Sequence, residues 1–208
     1  NMNANEVIAN LGLLKMGHRP GDYAHLHPND DVNRSQSTND VYPTAMRLAI
    51  VSQCDDFRAA QTRLAEAFSE RAAAFAHIRK IGRTQLQDAV PMTLGQEFAG
   101  FAVTIREDID IIGRLSNLLL EVNLGGTAIG TRVNTPDGYA EAAVAELGRV
   151  SGLQAKLAGD LIEASSDCGA YVTFSGVLKR IAVKLSKICN DLRLLSSGPR
   201  SGFMEIKL

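Results

Sequence analysis

The sequence lacks several things, and each absence removes a class of protein. Charge imbalance is one: 22 Lys and Arg stand against 23 Asp and Glu, a formal net charge of −1. Bulk binding to nucleic acid or to an anionic membrane surface therefore has no electrostatic footing. No uninterrupted apolar run approaches the ~20 residues that a membrane-spanning helix needs. Cysteine is scarce. Cys54, Cys168 and Cys189 are odd in number and form no Cys-x-x-Cys pair, which argues against a disulfide framework or a cysteine-ligated zinc and predicts buried, reduced thiols in a reducing, cytoplasmic compartment. Trp is absent, and nothing repeats with the short period of a solenoid. What remains is 45% hydrophobic and 22% charged over 208 residues, the composition of a soluble globular protein with one good core or two small ones.

What is present is helical periodicity. Val7, Ile8, Leu11, Leu13, Leu14 and Met16 suit a short helix over 4–17, stopped by Gly17. Residues 18–40 are rich in Gly, Pro, Asn, Asp and Ser and hold no period, so they are expected to be loop. A long helix is expected over 42–77, with a stripe of Ile50, Cys54, Phe57, Leu64, Phe68, Phe75 and Ile78. Residues 79–91 interrupt the period. Thr93 and Gln96 then form a capping-box signal, and Phe98, Phe101, Ile105, Ile109, Ile112, Leu115, Leu119 and Val122 carry a second stripe as far as Gly125-Gly126. Thr135-Pro136 opens a shorter helix to about residue 150. From near Asp160 a further helix runs to Ser197-Gly198-Pro199. Its Phe174, Leu178, Ile181, Leu185, Ile188, Leu192 and Leu195 alternate steps of four and three, the 3.5-residue period of left-handed bundle packing. Helices of ~30 residues are ~45 Å long. They exceed the core of so small a domain, so self-association is expected.

One stretch organises the polar residues. Ser35-Gln36-Ser37-Thr38-Asn39-Asp40 leads into Val41-Tyr42-Pro43, a loop of hydroxyl and amide side chains delivered onto the first turn of a helix, with Asn39 or Asp40 as cap and Pro43 in the first turn. Such a loop offers side-chain donors and free backbone N–H groups to an anion, and a small dicarboxylate fits that chemistry. Around it stand Asn1–Ile8, His27-Pro28-Asn29-Asp30, Gly82-Arg83-Thr84-Gln85-Leu86-Gln87-Asp88-Ala89 and Leu194–Arg200. Taken together and in this order, these segments resemble the aspartase/fumarase superfamily, end to end over all 208 residues.

The resemblance implies an all-α fold: an elongated long-helix bundle of the superfamily's central-domain type, here incomplete. Residues 1–40 would be the tail of an N-terminal domain and 41–208 the first part of the helical-bundle domain. It implies a homotetramer whose active sites are assembled from segments of three subunits, a small dicarboxylate substrate, and no organic cofactor. Ser37, Thr38 and Asn39 match one carboxylate-binding segment, and Thr84 with Gln85 matches a second; uncharged donors suit such a site because they add no titrating group. His27, Asn29 and Asp30 belong to a secondary anion-binding region. No metal site is assigned, since no regular spacing holds His25, His27 and Asp30 together; His18, His25 and His77 suit surface or packing roles. Glu97 favours the helix dipole, and Arg106-Glu107-Asp108-Asp110 suits a solvated helix face.

Within the superfamily, Thr38, Gln85 and Ser165–Tyr171 point to the ammonia-lyase branch, which converts L-aspartate to fumarate through an aci-carboxylate. Gly125-Gly126 and Ser201-Gly202 lean toward the hydratase branch, which acts on L-malate and fumarate. Arg132 stands where the superfamily generally has Gly. The loop carrying the general base is expected shortly after Leu208 and a threonine-containing contact segment before Asn1, so no catalytic residue is assigned and the chain is expected to be an internal piece, inactive alone. A reading of another class is a non-catalytic helical module that self-associates through the 174–195 seam.

Overall fold

Helices dominate, as the periodic stripes predict, and among the described residues strands are confined to two short pairs. The computed structural model describes residues 1–207. The chain forms two compact units, each built from two stretches: residues 1–52 with 117–168, and residues 53–116 with 169–208.

In the first unit, α1 (Met2–Lys15) packs on a single π-turn at Pro28–Val32, in the region expected to be loop. The face that α1 buries is Asn5, Ala9 and Leu13, with the Asn1 and Asn5 amides donating to Asn33 Oδ1 at 3.0 and 2.9 Å. Of its six apolar periodic positions only Leu13 is buried; Val7, Ile8, Leu11, Leu14 and Met16 are exposed. The polar and small residues face inward because they match the asparagine-rich turn they close on. The unit is completed by α4 (Tyr139–Ser151), α5 (Leu161–Ser166) and the parallel pair β3 (Glu121–Val122) and β4 (Lys156–Leu157). Helix α4 starts four residues later than Thr135 predicts, because Thr135 closes a turn by donating to Arg132 O at 2.8 Å.

The longest helix, α2 (Thr38–Ala74), gives its residues up to Ser52 to the first unit and those from Gln53 onward to the second. Its inward stripe is Asp40, Thr44, Arg47, Val51, Cys54, Arg58, Gln61, Ala65, Phe68, Ala72 and Phe75, all buried or half-buried, in strictly alternating steps of four and three. The expected apolar stripe shares only Cys54, Phe68 and Phe75 with it; Phe57, Leu64 and Ile78 are exposed. Among the inward polar residues Arg47 is held by backbone partners, donating to Glu121 O at 2.8 Å and to Leu118 O at 3.4 Å, whereas Thr44 Oγ1, Arg58 Nε and Gln61 Oε1 are buried with no hydrogen-bond partner among the described residues. The two backbone carbonyls that meet Arg47 lie in the 3-10 turn Asn117–Leu120 and in β3, where the helix expected to reach Val122 has already ended. Leu119 and Val122 are nonetheless fully buried. Of the cysteines, only Cys54 is buried, where desolvation pushes its thiol pKa up; Cys168 and Cys189 are exposed, contrary to expectation, and all three are free thiols.

The second unit opens with an antiparallel hairpin, β1 (Arg79–Thr84) and β2 (Gln87–Thr93), where the sequence shows only a break in helical period. Its turn residues Gln85 and Leu86 both adopt left-handed backbone, φ +53° and +63°. This is the conformation a two-residue hairpin turn needs, and neither residue type signals it. The hairpin feeds α3 (Leu94–Ser116) through the expected capping box: Thr93 N–H donates to Gln96 Oε1 at 2.9 Å and Gln96 N–H to Thr93 Oγ1 at 3.1 Å.

Helix α6 (Gly169–Leu195) is separated from α5 by a break at Asp167-Cys168, so the helix expected from Asp160 is two. Asp160 caps α5, accepting from Ile162 and Glu163 N–H. The 3.5-period seam of α6 packs on α3. Ile188 joins Ala65, Leu94, Phe98, Phe101 and Ile105 in the core, with Leu185 and Leu192 against them. Asp108, expected on a solvated face, is buried and paired with Arg180 at 3.1 Å and Lys184 at 3.0 Å.

The seam expected to join chains is thus occupied, around Leu185 to Leu192, by the chain's own α3. Leu185→Asp is therefore expected to unfold the second unit, read as lost helical circular dichroism and a lowered Tm. A variant that keeps its Tm while dissociating would return the seam to an intersubunit role.

Candidate active-site clefts

The first cleft is built on the start of α2. Ser37 is the N-cap: its Oγ accepts from Asn39 N–H at 3.2 Å, and its own N–H donates to Asp40 Oδ1 at 2.9 Å. This reciprocal box gives the capping role to Ser37 and not to Asn39 or Asp40. The other carboxylate oxygen of Asp40 accepts from Gly125 N–H and Thr127 N–H, both at 3.0 Å, and Asp40 is fully buried. One carboxylate thus ties the helix start to the glycine turn 125–131.

Pro43 lies inside the helix, not in its first turn. Having no N–H, it leaves Asn39 O without its ordinary helical donor. Asn123 supplies the substitute: its Nδ2 donates to Asn39 O at 3.0 Å and to Ser165 Oγ at 3.1 Å. Asn39 in turn donates through Nδ2 to Ala128 O at 2.8 Å. The same turn meets α5 closely. At Gly130, φ +92°, an added Cβ would lie 2.3 Å from Leu161 O, so only glycine fits. Arg132, where the superfamily generally has Gly, takes φ +60° and pairs with Glu141 at 2.9 Å.

These contacts shape a cleft of about 410 Å³ lined by Thr38, Asn39, Tyr42, Ile129, Ser165 and Ser166, among others. Thr38 and Asn39 are exposed, Ser37 half-buried, and among the described residues the Thr38 hydroxyl has no hydrogen-bond partner. The buried Asn123 Oδ1 and Thr127 Oγ1 also lack one, leaving polar capacity for water or a ligand. Behind the helix start, desolvation and the nearby Asp40 charge raise the Tyr139 pKa above its ordinary value, so it stays a neutral phenol. Ser165 and Ser166 were legible only as a branch marker, since nothing local says which way the end of α5 points.

The second cleft, about 320 Å³, lies in the second unit and is lined by Lys80, Arg83, Gln85, Glu97, Lys187 and Asp191 with apolar neighbours. Lys80 bridges Glu97 and Glu205 at 2.6 Å each, and Arg83 pairs with Glu205 while its guanidinium sits 4.0 Å over the Phe203 ring. Glu97, expected to serve only the helix dipole, is thus an ion-pair partner. Gln85 faces this cleft; Thr84, though exposed beside it on the hairpin, does not line it. Burial pushes the Glu205 carboxyl up, but hydrogen bonds from Arg83 and Lys80 outweigh it and hold its pKa below the ordinary carboxylate value.

His27, Asn29 and Asp30 meet at the π-turn. His27 Nδ1 accepts from the N–H groups of Asn29 and Asp30, both at 3.2 Å, and His27 N–H donates to Asp31 at 2.7 Å. The backbone donors that would greet an anion are therefore engaged by the ring, while the Asn29 and Asp30 side chains are exposed.

Known proteins are similar to this chain in sequence and in fold. The family profile described as Lyase matches residues 1–208. Aspartate ammonia-lyases of Pseudomonas aeruginosa and Escherichia coli K12 are 62% and 59% identical across all of this chain. Two crystal structures are also similar. A Brucella melitensis protein described as fumarate lyase:delta crystallin bound to cobalt has a TM-score of 0.96 at 62% identity, over 98% of this chain and 44% of that one. A class II fumarase of Schistosoma mansoni has 0.88 at 32%, over 97% and 45%. The chain belongs to this lyase family, the aspartase/fumarase superfamily that its motifs resemble. It spans about 44% of the length of those aspartate ammonia-lyases.

Two outcomes follow from the geometry. Asn123→Leu strands Asn39 O and leaves Ser165 Oγ with only its bond to Leu161 O, and is expected to lower stability by about 1–3 kcal/mol in denaturant unfolding; an unchanged midpoint would show that the Asn123 bridge is dispensable. For Glu205, a folded pKa below the unfolded one contributes stability above the ordinary carboxylate range, lost as pH falls through the folded value. Glu205→Gln should therefore be less stable than the parent at neutral pH, with the gap closing in acid; a gap independent of pH would refute the linkage.

Proposed function

We propose that the longer protein containing this chain is an aspartate ammonia-lyase. The observation that carries this reading is identity of about 60% with aspartate ammonia-lyases, extending over every segment that builds the first cleft. The 32% identity to the fumarase supports the ammonia-lyase branch over the hydratase branch.

In this reading the cleft at the start of α2 takes a carboxylate of L-aspartate. Ser37, Thr38 and Asn39 supply uncharged donors beside the positive end of the α2 dipole. The free Thr38 hydroxyl is the natural first contact. Asn39 is anchored through Ala128, and Asp40 keeps the turn rigid so that these donors are preorganised, which is what stabilises charge as it develops. Thr84 and Gln85 contribute to a second carboxylate contact on another composite site of a homotetramer, and His27, Asn29 and Asp30 to a secondary anion site that is met by the exposed Asn29 side chain, since the turn's N–H groups are engaged by His27. A general base outside these residues removes the β-proton. The electron pair moves into the adjacent carboxylate as an aci-carboxylate, then returns to expel ammonia and leave fumarate. Residues 1–40 and 41–208 would be the end of one domain and the beginning of the helical-bundle domain. The three free thiols suit a reducing, cytoplasmic setting, and no helix among the described residues is long and apolar enough to cross a membrane.

The test is the full-length protein assayed by fumarate absorbance. L-Aspartate should be consumed with release of ammonia, L-malate should not, and residues 1–208 alone should be inactive. Turnover of L-malate without L-aspartate would overturn the reading in favour of the hydratase. Thr38→Val, which removes the hydroxyl and keeps the shape, should lower kcat/KM by about tenfold to a hundredfold, as loss of one donor costs about 1.5–3 kcal/mol; an unaltered kcat/KM would remove Thr38 from the site.

A further inference from the structure

The loop between α1 and the π-turn brings together three side chains that no part of the lyase reading uses. His18 Nδ1 lies 3.6 Å from Asp22 Oδ2, and His25 Nε2 lies 3.8 Å from the same oxygen. The two imidazoles stack with ring centroids 3.9 Å apart and planes 16° from parallel. One ligand atom from each residue falls within 4.8 Å of the others. From the sequence, the pairing considered for His25 was His27 with Asp30; instead His27 caps the π-turn, and His25 turns back toward α1.

We propose that His18, Asp22 and His25 form a divalent transition-metal site. A tetrahedral ion with bonds of about 2.0–2.1 Å holds its ligand atoms about 3.3 Å apart. The two separations from Asp22 exceed that by only a few tenths of an ångström, and the two imidazoles, now stacked 16° from parallel, must turn so that their in-plane nitrogen lone pairs meet at the ion. Two imidazoles and one carboxylate form a borderline donor set that selects zinc or cobalt over magnesium or calcium, which prefer all-oxygen shells. The three side chains keep 32%, 42% and 51% of their exposure, which leaves the fourth position open to water.

The backbone holds the ligands in place before any metal arrives. His18 N–H donates to Leu13 O at 2.9 Å, fixing the first ligand to the end of α1. Asp22 N–H donates to Arg19 O at 3.2 Å, and His25 N–H to Asp22 O at 3.1 Å. Asn10 of α1 accepts from Gly21 N–H at 2.7 Å and donates to Tyr23 Oη at 3.3 Å, pinning both flanks of Asp22. An ion here would cross-link the α1 terminus to the loop that leads into the π-turn, stabilising that loop by mass action. The site is independent of the lyase reading, because none of its ligands lines either cleft.

The test uses the full-length protein stripped with a chelator, then titrated with zinc chloride by calorimetry and with cobalt chloride by visible absorption. One site per chain should bind zinc, and cobalt should give the ligand-field bands of a tetrahedral centre without a thiolate charge-transfer band. His25→Ala and Asp22→Asn should each weaken binding by about tenfold or more, and His77→Ala should leave it unchanged. Asp22→Asn keeps the shape of the loop, so its loss of binding would not reflect unfolding. Three results would each overturn the site: no binding, binding unchanged in His18→Ala/His25→Ala, or a thiolate band that places the metal on Cys168 or Cys189.

Discussion

The buried carboxylate of Asp40 is the constraint on which the first unit depends. A fully buried carboxylate is costly unless its oxygens are met by donors, and here three backbone N–H groups meet them: Ser37 from one side, Gly125 and Thr127 from the other. The same bonds cap a helix and locate a glycine turn 85 residues further along the chain. Because the donors are backbone groups, the geometry is held by the main chain, and Thr38 and Asn39, the two residues following the Ser37 cap, are presented in one orientation. Pro43 and Asn123 extend the same logic. The proline removes one helical hydrogen bond, and a side chain from a distant turn restores it. In both cases a local irregularity is made stable by a nonlocal partner.

The second unit depends on a different balance. Its core is aromatic and aliphatic, with Phe68, Phe98 and Phe101 in edge and tilted contacts. The charged groups are arranged around it in pairs. Asp108 is tolerable in its buried position because Arg180 and Lys184 reach it from α6. Lys80 sits between Glu97 and Glu205, so the hairpin, the first turn of α3 and the chain following α6 are joined by one cation. Gln85 is thereby carried on a hairpin whose strands are clamped although its turn is strained.

Much of this was legible in the residues. The Thr93/Gln96 capping box, the stripe of α3 and the period of α6 all appear in the structure, and the polar stretch 35–40 does open a helix beside a cleft. The parts that were not legible share a cause. The register of α2 is one: Ile50, Phe57 and Leu64 form the better apolar pattern, yet Thr44, Arg47 and Gln61 face inward, and of these Arg47 is met by Leu118 O and Glu121 O from a distant stretch of the chain. The hairpin is another, since Gln85 and Leu86 carry no turn signal and adopt left-handed backbone under the pull of strand pairing. The pairing of His25 with His18 and Asp22, in place of His27 and Asp30, depends on how Asn10 folds the loop back.

By itself the sequence determined the helical class, the family, the existence of the long helices and the capping-box start of α3. These follow from side-chain period, capping chemistry and residue identity, which are local properties. The tertiary structure alone decided which helical face is buried, where α3 ends, that the α6 seam is filled from within the chain, and which serines join Thr38 at the cleft. Each of those depends on satisfying a backbone or charged group with a partner far away in the chain, and only the folded packing brings that partner within hydrogen-bonding reach.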